Sequence, residues 1–572
     1  MNLKSYFPAF DWITNYRRDD LKGDLSAGLT VGVMLIPQGM AYAMIAGLPP
    51  IYGLYASTLP LIVYALLGTS RQLAVGPVAM VSLLTAAGVG ALAEGGTEAY
   101  LQMAILLALL VGGIQFLLGV FRLGFLVNFL SHPVISGFTS AAALIIGLSQ
   151  LKHLLGIPLG RSHHIHEILI EAGQRIGELH WPTFLIGLGG IGLILLVKKV
   201  SRAIPGPLLA VVFGILAVWL FGLSGEGVKI VGTVPQGLPS FELPAFSWGT
   251  TGALMPIALT IALVSFMESI AVAKAIQAKH KNYKVIPNQE LIALGLANVG
   301  GSFFQAYPTT GGFSRTAVND QAGARTGLAA IISAALILLT LLFLTPLFYY
   351  LPQAILASVI MVAVFGLIDI KEAVHLWHAN RTDFFMLIVT FLATLSLGIE
   401  QGIGVGVVLS LVMVIFRTTR PHIAVLGKVP GTPYYRNIER FEKVEQRPDL
   451  LILRFDAQLY FANVNFFKDT LAELVQRKGK ALKAVIINGE SINNIDSSAA
   501  HALEEVTDDL HRQGIGLLFT GVKGPVRDAM ARAHLTEKIG EENFYLSIQH
   551  AVEAVDQPVG EDHRSYVLQT NG

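Results

Sequence analysis

The chain has 572 residues, 53% of them hydrophobic and only 14% charged, with a mean hydropathy of +0.59; soluble domains carry about 25% charged residues, so much of this surface must face something other than water. A net charge of +1 gives no basic field for nucleic acid, and the absence of cysteine excludes disulfides and thiol chemistry and fits a reducing compartment.

Residues 1–24 form a mixed, charged N-terminal segment. Arg17, Arg18, Asp19 and Asp20 precede the first apolar run, with no short apolar region and small-residue cleavage site before them. That run is therefore expected as an uncleaved span. Residues 25–416 are mostly apolar, with stretches at 103–118, 184–197 and 328–344 of bilayer or nearly bilayer length. Fourteen membrane segments are expected. The first seven lie at 25–45, 51–67, 76–92, 100–120, 125–149, 182–198 and 207–222; the second seven at 252–273, 289–304, 313–323, 326–344, 351–368, 382–398 and 402–416. Residues 417–433 read as a linker, 434–555 as a soluble domain and 556–572 as a tail.

Loop charge orients this count. With both termini in the cytosol, the inner loops hold Arg17, Arg18, Lys22, Arg122, Lys198, Lys199, Arg202, Lys274, Lys279, Lys281, Lys284, Arg325, Lys371, Arg381, Arg417 and Arg420. The outer loops hold few cations, among them Lys152, Arg161, Arg175 and Lys229. That asymmetry is the positive-inside pattern. It predicts a multi-pass protein of the inner (plasma) membrane, in contact with lipid, with its soluble domain in the cytosol.

Two segments break the pattern of plain spans. Residues 70–77 read Ser-Arg-Gln-Leu-Ala-Val-Gly-Pro, and residues 305–316 read Gln-Ala-Tyr-Pro-Thr-Thr-Gly-Gly-Phe-Ser-Arg-Thr, each ahead of a short apolar helix. Both are the third segment of a seven-segment half, and interruptions at matching positions point to the binding site of an inverted-repeat transporter. Extended backbone cannot face lipid, so the two stretches are expected to pair with each other, each running into a half-helix. The free N–H groups and positive dipole ends of the half-helices then face one gap, which suits an anion. The plain alternative is a pair of loops between spans.

At these residues the sequence resembles the SulP sulfate permeases and their animal solute-carrier relatives. The resemblance covers nearly the whole chain. In the first half it rests on Pro37-Gln38-Gly39-Met40-Ala41-Tyr42-Ala43, Leu48-Pro49-Pro50-Ile51-Tyr52-Gly53-Leu54-Tyr55, Gly68-Thr69-Ser70-Arg71 and Val75-Gly76-Pro77. In the second half it rests on Phe266-Met267-Glu268-Ser269, Asn288-Gln289-Glu290-Leu291 and Phe313-Ser314-Arg315-Thr316-Ala317-Val318-Asn319. The pattern is most similar to the plant and bacterial sulfate branch. The resemblance implies an α-helical membrane domain of fourteen spans in a seven-plus-seven inverted repeat, divided into a core and a gate. It also implies a homodimer and an elevator-like movement of core against gate.

Gln38, mid-span after Pro37, can donate to an anion without committing a charge, although a buried amide also serves helix packing. The family pattern adds Tyr42 as the aromatic of the same site. Gly76, Pro77, Val78 and Ala79 are expected to open the first half-helix, with Pro77 suited to its first turn and Gly76 to close backbone approach. Phe313, Ser314 and Thr316 open the second, where Ser314 offers a hydroxyl and backbone donors. Arg315 is a charge inside a membrane segment and points about 100° away from Ser314 on the helix. It is expected to act through its field or an ion pair more than by direct ligation. Glu268 is protonated, paired with Arg315 or facing water, since an unpaired carboxylate is costly there. A carboxyl that changes protonation with anion occupancy is a natural proton-coupling group; a permanent ion pair is the structural alternative, and sodium coupling through the same group is a further one. In the family, uncoupled exchangers tend to lack an acid at this place. His153, His163, His164 and His166 match no metal-ligand spacing and read as a solvated loop, so no metal or cofactor is expected.

The soluble part alternates strand and helix: strands near 434–437, 450–455, 482–488 and 516–520, helices near 464–478, 498–513 and 524–534. It resembles the STAS domain, a relative of anti-sigma-factor antagonists. In those relatives the first serine of Asp-Ser-Ser is a phosphoacceptor, matched here by Ser497 in Ile495-Asp496-Ser497-Ser498, although Ala499-Ala500 departs from the usual glycine. The simpler role is a helix N-cap, which Ser497 or Ser498 would serve. The readings left open are a proton-coupled sulfate importer, a sodium-coupled bicarbonate transporter or anion exchanger of the same family, and a non-transporting sensor. Glu268 and the paired half-helices argue against the sensor. No nucleophile–base constellation or phosphate-binding loop points to an enzyme.

Overall fold

The computed structural model describes residues 7–125, 131–159, 165–200, 205–280 and 283–556. Arg161, His163, His164, Arg202 and Lys281, residues 1–6 of the N-terminal segment and residues 557–572 of the tail lie outside the described residues. The chain divides into two units, Met1–Ser410 and Leu411–Gly572.

The first unit runs α1 (Ala9–Thr14), α2 (Arg18–Ile45), α3 (Pro50–Tyr55), α4 (Leu59–Leu67), β1 (Val75–Gly76), α5 (Ala79–Gly90), α6 (Glu98–Val120), α7 (His132–Ser149), α8 (Leu151–Leu155), α9 (Ile165–Gln174), α10 (Trp181–Val200) and α11 (Gly206–Phe221). It continues with α12 (Trp248–His280), α13 (Pro287–Ser302), β2 (Thr310–Gly311), α14 (Phe313–Gln321), α15 (Leu328–Leu339), α16 (Gln353–Phe365), α17 (Ile370–Ala379), α18 (Arg381–Leu397) and the first part of α19 (Ile399–Thr419), whose last residues belong to the second unit. Each of the fourteen expected segments contains helix. Among the described residues, eight helical stretches are long and apolar enough to cross a membrane. The two segments read as interrupted hold the short helices α5 and α14, of 12 and 9 residues.

The packing partners repeat between the two halves. α2 packs on α15 as its counterpart α12 packs on α6, and α7 packs on α18 as α16 packs on α10. Both α2 and α12 touch both short helices. Exchanging the halves preserves these pairings, which is the signature of an internal repeat. The helices sort into two groups: α2–α6 with α12–α15, and α7, α8, α10, α11, α16 and α18, with α11 and α16 bearing on α2.

Small residues set the closest crossings. A Cβ on Gly295 of α13 would lie 2.5 Å from the Phe116 backbone N of α6, and one on Gly112 would lie 2.6 Å from Gly295 O. Glycine-lined contacts of this kind substitute for hydrophobic drive between helices in lipid.

The second unit is a six-stranded sheet in the order β4-β3-β5-β6-β7-β8. The strands are β3 (Ile423–Lys428), β4 (Tyr435–Asn437), β5 (Leu450–Phe455), β6 (Ala484–Asn488), β7 (Gly516–Thr520) and β8 (Phe544–Tyr545). β5 to β8 are parallel, while β3 pairs antiparallel with both β4 and β5. The helices are α20 (Val464–Lys478), α21 (Ser497–Arg512), α22 (Gly524–Arg532), α23 (Leu535–Ile539) and α24 (Ile548–Asp556). Period-two alternation sends Leu451, Leu453, Val485, Ile487 and Leu517 to the face covered by α20 to α23. It sends Leu450, Ile452, Ile486 and Leu518 to the face covered by α24. Arg447 donates to both carboxylate oxygens of Asp449, at 3.0 and 2.7 Å, and to Asp556 of α24 at 2.6 Å. Those bonds hold the Asp449 carboxyl below the usual range.

Two expectations are corrected here. Residues 423–428, assigned to the linker, are strand β3 in the interior of the sheet order. The cap of α21 is Asp496, whose side chain accepts from Ala499 N at 2.8 Å and from Phe461 N at 2.9 Å. The two carboxyl oxygens serve two backbone N–H groups at once, which a single hydroxyl at the helix start does not; Ser497 and Ser498 are exposed.

Candidate functional site

The interrupted stretches meet. β1 and β2 pair antiparallel, Val75 opposite Gly311 and Gly76 opposite Thr310, and Gly312 N donates to Ala74 O at 3.0 Å. Thr316 finishes the joint, accepting from Ala74 N at 3.1 Å and donating to Gly312 O at 2.7 Å. Two short extended segments thereby satisfy one another inside an apolar fold. α5 begins at Ala79 with Val78 as its N-cap, so Pro77 stands one residue ahead of the cap and not in the first turn.

Groups of α12 and α13 hold β2 and the residue before it, and a side chain of α6 braces them. Thr310 Oγ1 donates to Ser265 O at 2.7 Å, and Gly311 N donates to Ser269 Oγ at 2.8 Å, both on α12. Thr309 N donates to Asn298 Oδ1 of α13 at 2.7 Å; Asn298 Nδ2 donates to Gln115 Oε1 of α6 at 3.2 Å, and Gln115 Nε2 to Ser265 Oγ at 2.8 Å. Sequence reasoning passed over Gln115, Asn298 and Ser265. The available signal was a lone amide, Gln115, inside the apolar run 103–118.

Arg315 spans the two short helices. Its residue is 2% exposed, and Nη1 donates to Pro77 O at 2.5 Å, just ahead of α5. Gly312 leaves the room this needs, because a Cβ there would sit 2.9 Å from Nη2. Nε and Nη2 are buried without a hydrogen-bond partner among the described residues. Glu268 on α12, Tyr42 on α2 and Tyr307 lie within electrostatic reach of the guanidinium. Glu268 and Arg315 form no direct ion pair, and Glu268 Oε2 is likewise buried without a partner. Tyr307 OH is shared with Ser82 Oγ of α5 at 3.0 Å.

Gln38 and Tyr42, one turn apart on α2, are 3% and 5% exposed, and Gln38 Oε1 is buried without a hydrogen-bond partner among the described residues. Phe313 and Ser314 are exposed, so neighbouring residues of one helix face opposite ways, with Arg315 inward. Gly76, Pro77, Val78 and Ala79 are buried beside the guanidinium's anchor. The structure thus brings Tyr42, Glu268, Arg315 and the 76–79 turn to one locus, with Gln38 one turn from Tyr42 on α2, Ser314 exposed and Thr316 committed to the β1–β2 joint.

The approach of α3 to α2 sets where Gln38 stands. A Cβ on Gly53 would lie 1.9 Å from Gly39 O, backbone against backbone. The glycines of two sequence motifs therefore touch. Gly53→Ala is expected to cost roughly 1–3 kcal/mol or more by forced separation of the helices. A lower melting temperature in fluorescence-detected size exclusion checks this; an unchanged melting curve would refute it.

Comparisons with known proteins agree with this architecture. Residues 21–390 match the model of the sulfate permease family, and residues 443–551 match that of the STAS domain. The chain is 42% identical over 575 residues to sulfate transporter 4.1, chloroplastic, of Arabidopsis thaliana, covering 97% of this chain and 83% of that protein. It is 36% identical over 573 residues to high affinity sulfate transporter 2 of Stylosanthes hamata, covering 96% and 86%. Among solved structures, murine solute carrier 26 family member A9, an anion transporter in the inward-facing state, aligns with a TM-score of 0.89 at 26% identity, covering 97% of this chain and 94% of that one. The transmembrane domain of a cyanobacterial bicarbonate transporter shares the fold at a TM-score of 0.60 and 23% identity, over 69% of this chain and 98% of that one. The chain belongs to the sulfate permease family, a family of anion transporters and not of enzymes, and carries a STAS domain.

Proposed function

We propose that this protein imports sulfate together with protons, by movement of the α2–α6/α12–α15 group against the group of α7, α8, α10, α11, α16 and α18. The observation that carries the reading is a buried guanidinium that ties α14 to the turn ahead of α5, within electrostatic reach of the Glu268 carboxyl on α12 and not paired with it. With Glu268 ionised, its charge cancels that of Arg315 and the locus has little net attraction for an anion. Protonation of Glu268 leaves Arg315 and the two helix N-termini as an uncompensated positive centre. Sulfate accepts from the Nε and Nη2 donors, from the backbone at 78–79 and 313–314 and from the Ser314 hydroxyl, and Gln38 turns its amide N–H₂ inward. Tyr42 closes the apolar side. Binding the anion raises the proton affinity of Glu268, and binding the proton raises the affinity for the anion.

The same reading places the protein in the inner membrane as a homodimer, with both termini and the STAS domain in the cytosol and Ser497 exposed there as a regulatory hydroxyl. The test is radiolabelled sulfate uptake into proteoliposomes, sodium absent, with and without an inward proton gradient. Uptake that rises as the outside is acidified is the expected result. Uptake of bicarbonate with sodium, and none of sulfate under any gradient, would overturn the substrate and the coupling ion together.

A further inference from the structure

The short helix α14 is held at both ends. Its N-terminal end is tied by the β1–β2 pairing, by Thr316 and by the Arg315 bond to Pro77. At its other end Asn319 Nδ2 donates to Gln72 O at 2.9 Å, and Asp320 accepts from Lys279 Nζ and His280 Nε2 at the end of α12. The Asp320 side chain is 3% exposed, whereas that of Lys279 is 60% exposed.

This is an adverse place for a carboxylate. It sits in the last turn of a helix, at the negative end of the dipole, and it is buried. Its partners on α12 offset both costs. Among the described residues no other ion pair joins α12 to α14. A nine-residue helix does not hold its own geometry, so its place is imposed by such ties. Arg315 and Asp320 are separated by about 7.5 Å along the helix axis, and a displacement at one end is felt at the other. α12 carries Glu268 and α14 carries Arg315.

We infer that Asp320 is a positioning residue for anion transport: its charge, through Lys279 and His280, sets α14 against α12 and thereby the gap between Arg315 and Glu268. This rests on the reading of that gap as the anion site. The carboxylate touches neither the anion nor the proton. It fixes the distance over which the two charged groups sense each other.

The test measures sulfate affinity of the purified full chain by scintillation proximity, and KM and Vmax of uptake, for Asp320→Asn, Lys279→Met, Lys279→Arg and Arg315→Gln. Asp320→Asn is expected to weaken binding and raise KM roughly fivefold, as coupling energies of about 1 kcal/mol imply, with Vmax changed far less. Lys279→Met, at a side chain 60% exposed, moves KM in the same direction, and Lys279→Arg keeps the wild-type value. If Asp320→Asn does not fold, the contrast between the two Lys279 variants decides. Equal KM in Lys279→Met and Lys279→Arg, or a wild-type KM in Asp320→Asn, overturns the positioning role. Unchanged sulfate binding by Arg315→Gln would instead sink the anion site itself, so the two failures are told apart.

Discussion

Arg315→Gln is expected to abolish saturable sulfate uptake, with affinity reduced at least about 30-fold, the equivalent of the 2–5 kcal/mol lost when one member of a buried charged pair is truncated. The guanidinium acts in three ways. It supplies the positive charge of the locus, it offers two buried donor nitrogens, and through Pro77 O it fastens α14 to the turn ahead of α5. Glutamine keeps some volume and loses all three. Arg315→Lys separates them, because an ammonium keeps the charge but has no planar fork to hold Pro77 and an anion at once. The lysine variant is expected to fall between wild type and glutamine. Initial uptake rates and sulfate-dependent thermal stabilisation measure the series. A glutamine variant with wild-type KM would place the anion elsewhere.

Much of this arrangement is legible in the sequence. Gly, Pro and Ser within apolar sequence at 70–77 and 305–316 marked backbone that lipid could not accommodate, and the pairing of β1 with β2 is the answer such backbone requires. The soluble domain was legible for a different reason: strands β5 to β7 and helices α20 to α22 alternate with clear changes of period. What escaped depends on long-range partners. Gln115 and Asn298 lie far apart in the chain, and nothing local says that their amides meet beneath β2. The touching glycines at 39 and 53 were visible only as members of separate motifs. β3 has six residues and follows directly on α19, so its identity comes from antiparallel pairing with β5, a strand that begins 22 residues further on. The choice of Asp496 over Ser497 as the cap turned on the nearby Phe461 N, which shares the carboxylate.

Glu268→Gln is expected to uncouple transport without destroying the site. Glutamine approximates the protonated carboxyl in size and charge, so the variant stays in the form in which Arg315 is uncompensated. Sulfate binding and sulfate–sulfate counterflow therefore persist, and they lose their dependence on pH. Accumulation has no such refuge. An inward gradient of two pH units supplies about 2.7 kcal/mol per proton, an accumulation ratio of about 100 for one coupled proton with the membrane potential clamped. A carrier that binds no proton draws on none of it, and the ratio falls to that of the gradient-free control. The sign in the unmodified protein follows from the same charges: acidification outside protonates Glu268, exposes the charge of Arg315 and raises uptake, while acidification inside favours efflux. Glu268→Asp retains an ionisable group on a shorter stem and keeps coupled uptake at a reduced rate. Counterflow and gradient-driven uptake, measured on the same proteoliposomes, separate a coupling residue from a structural one. Loss of both in a monodisperse Glu268→Gln protein would make the carboxyl part of the scaffold, and gradient-driven accumulation at the wild-type level would move proton coupling to another residue.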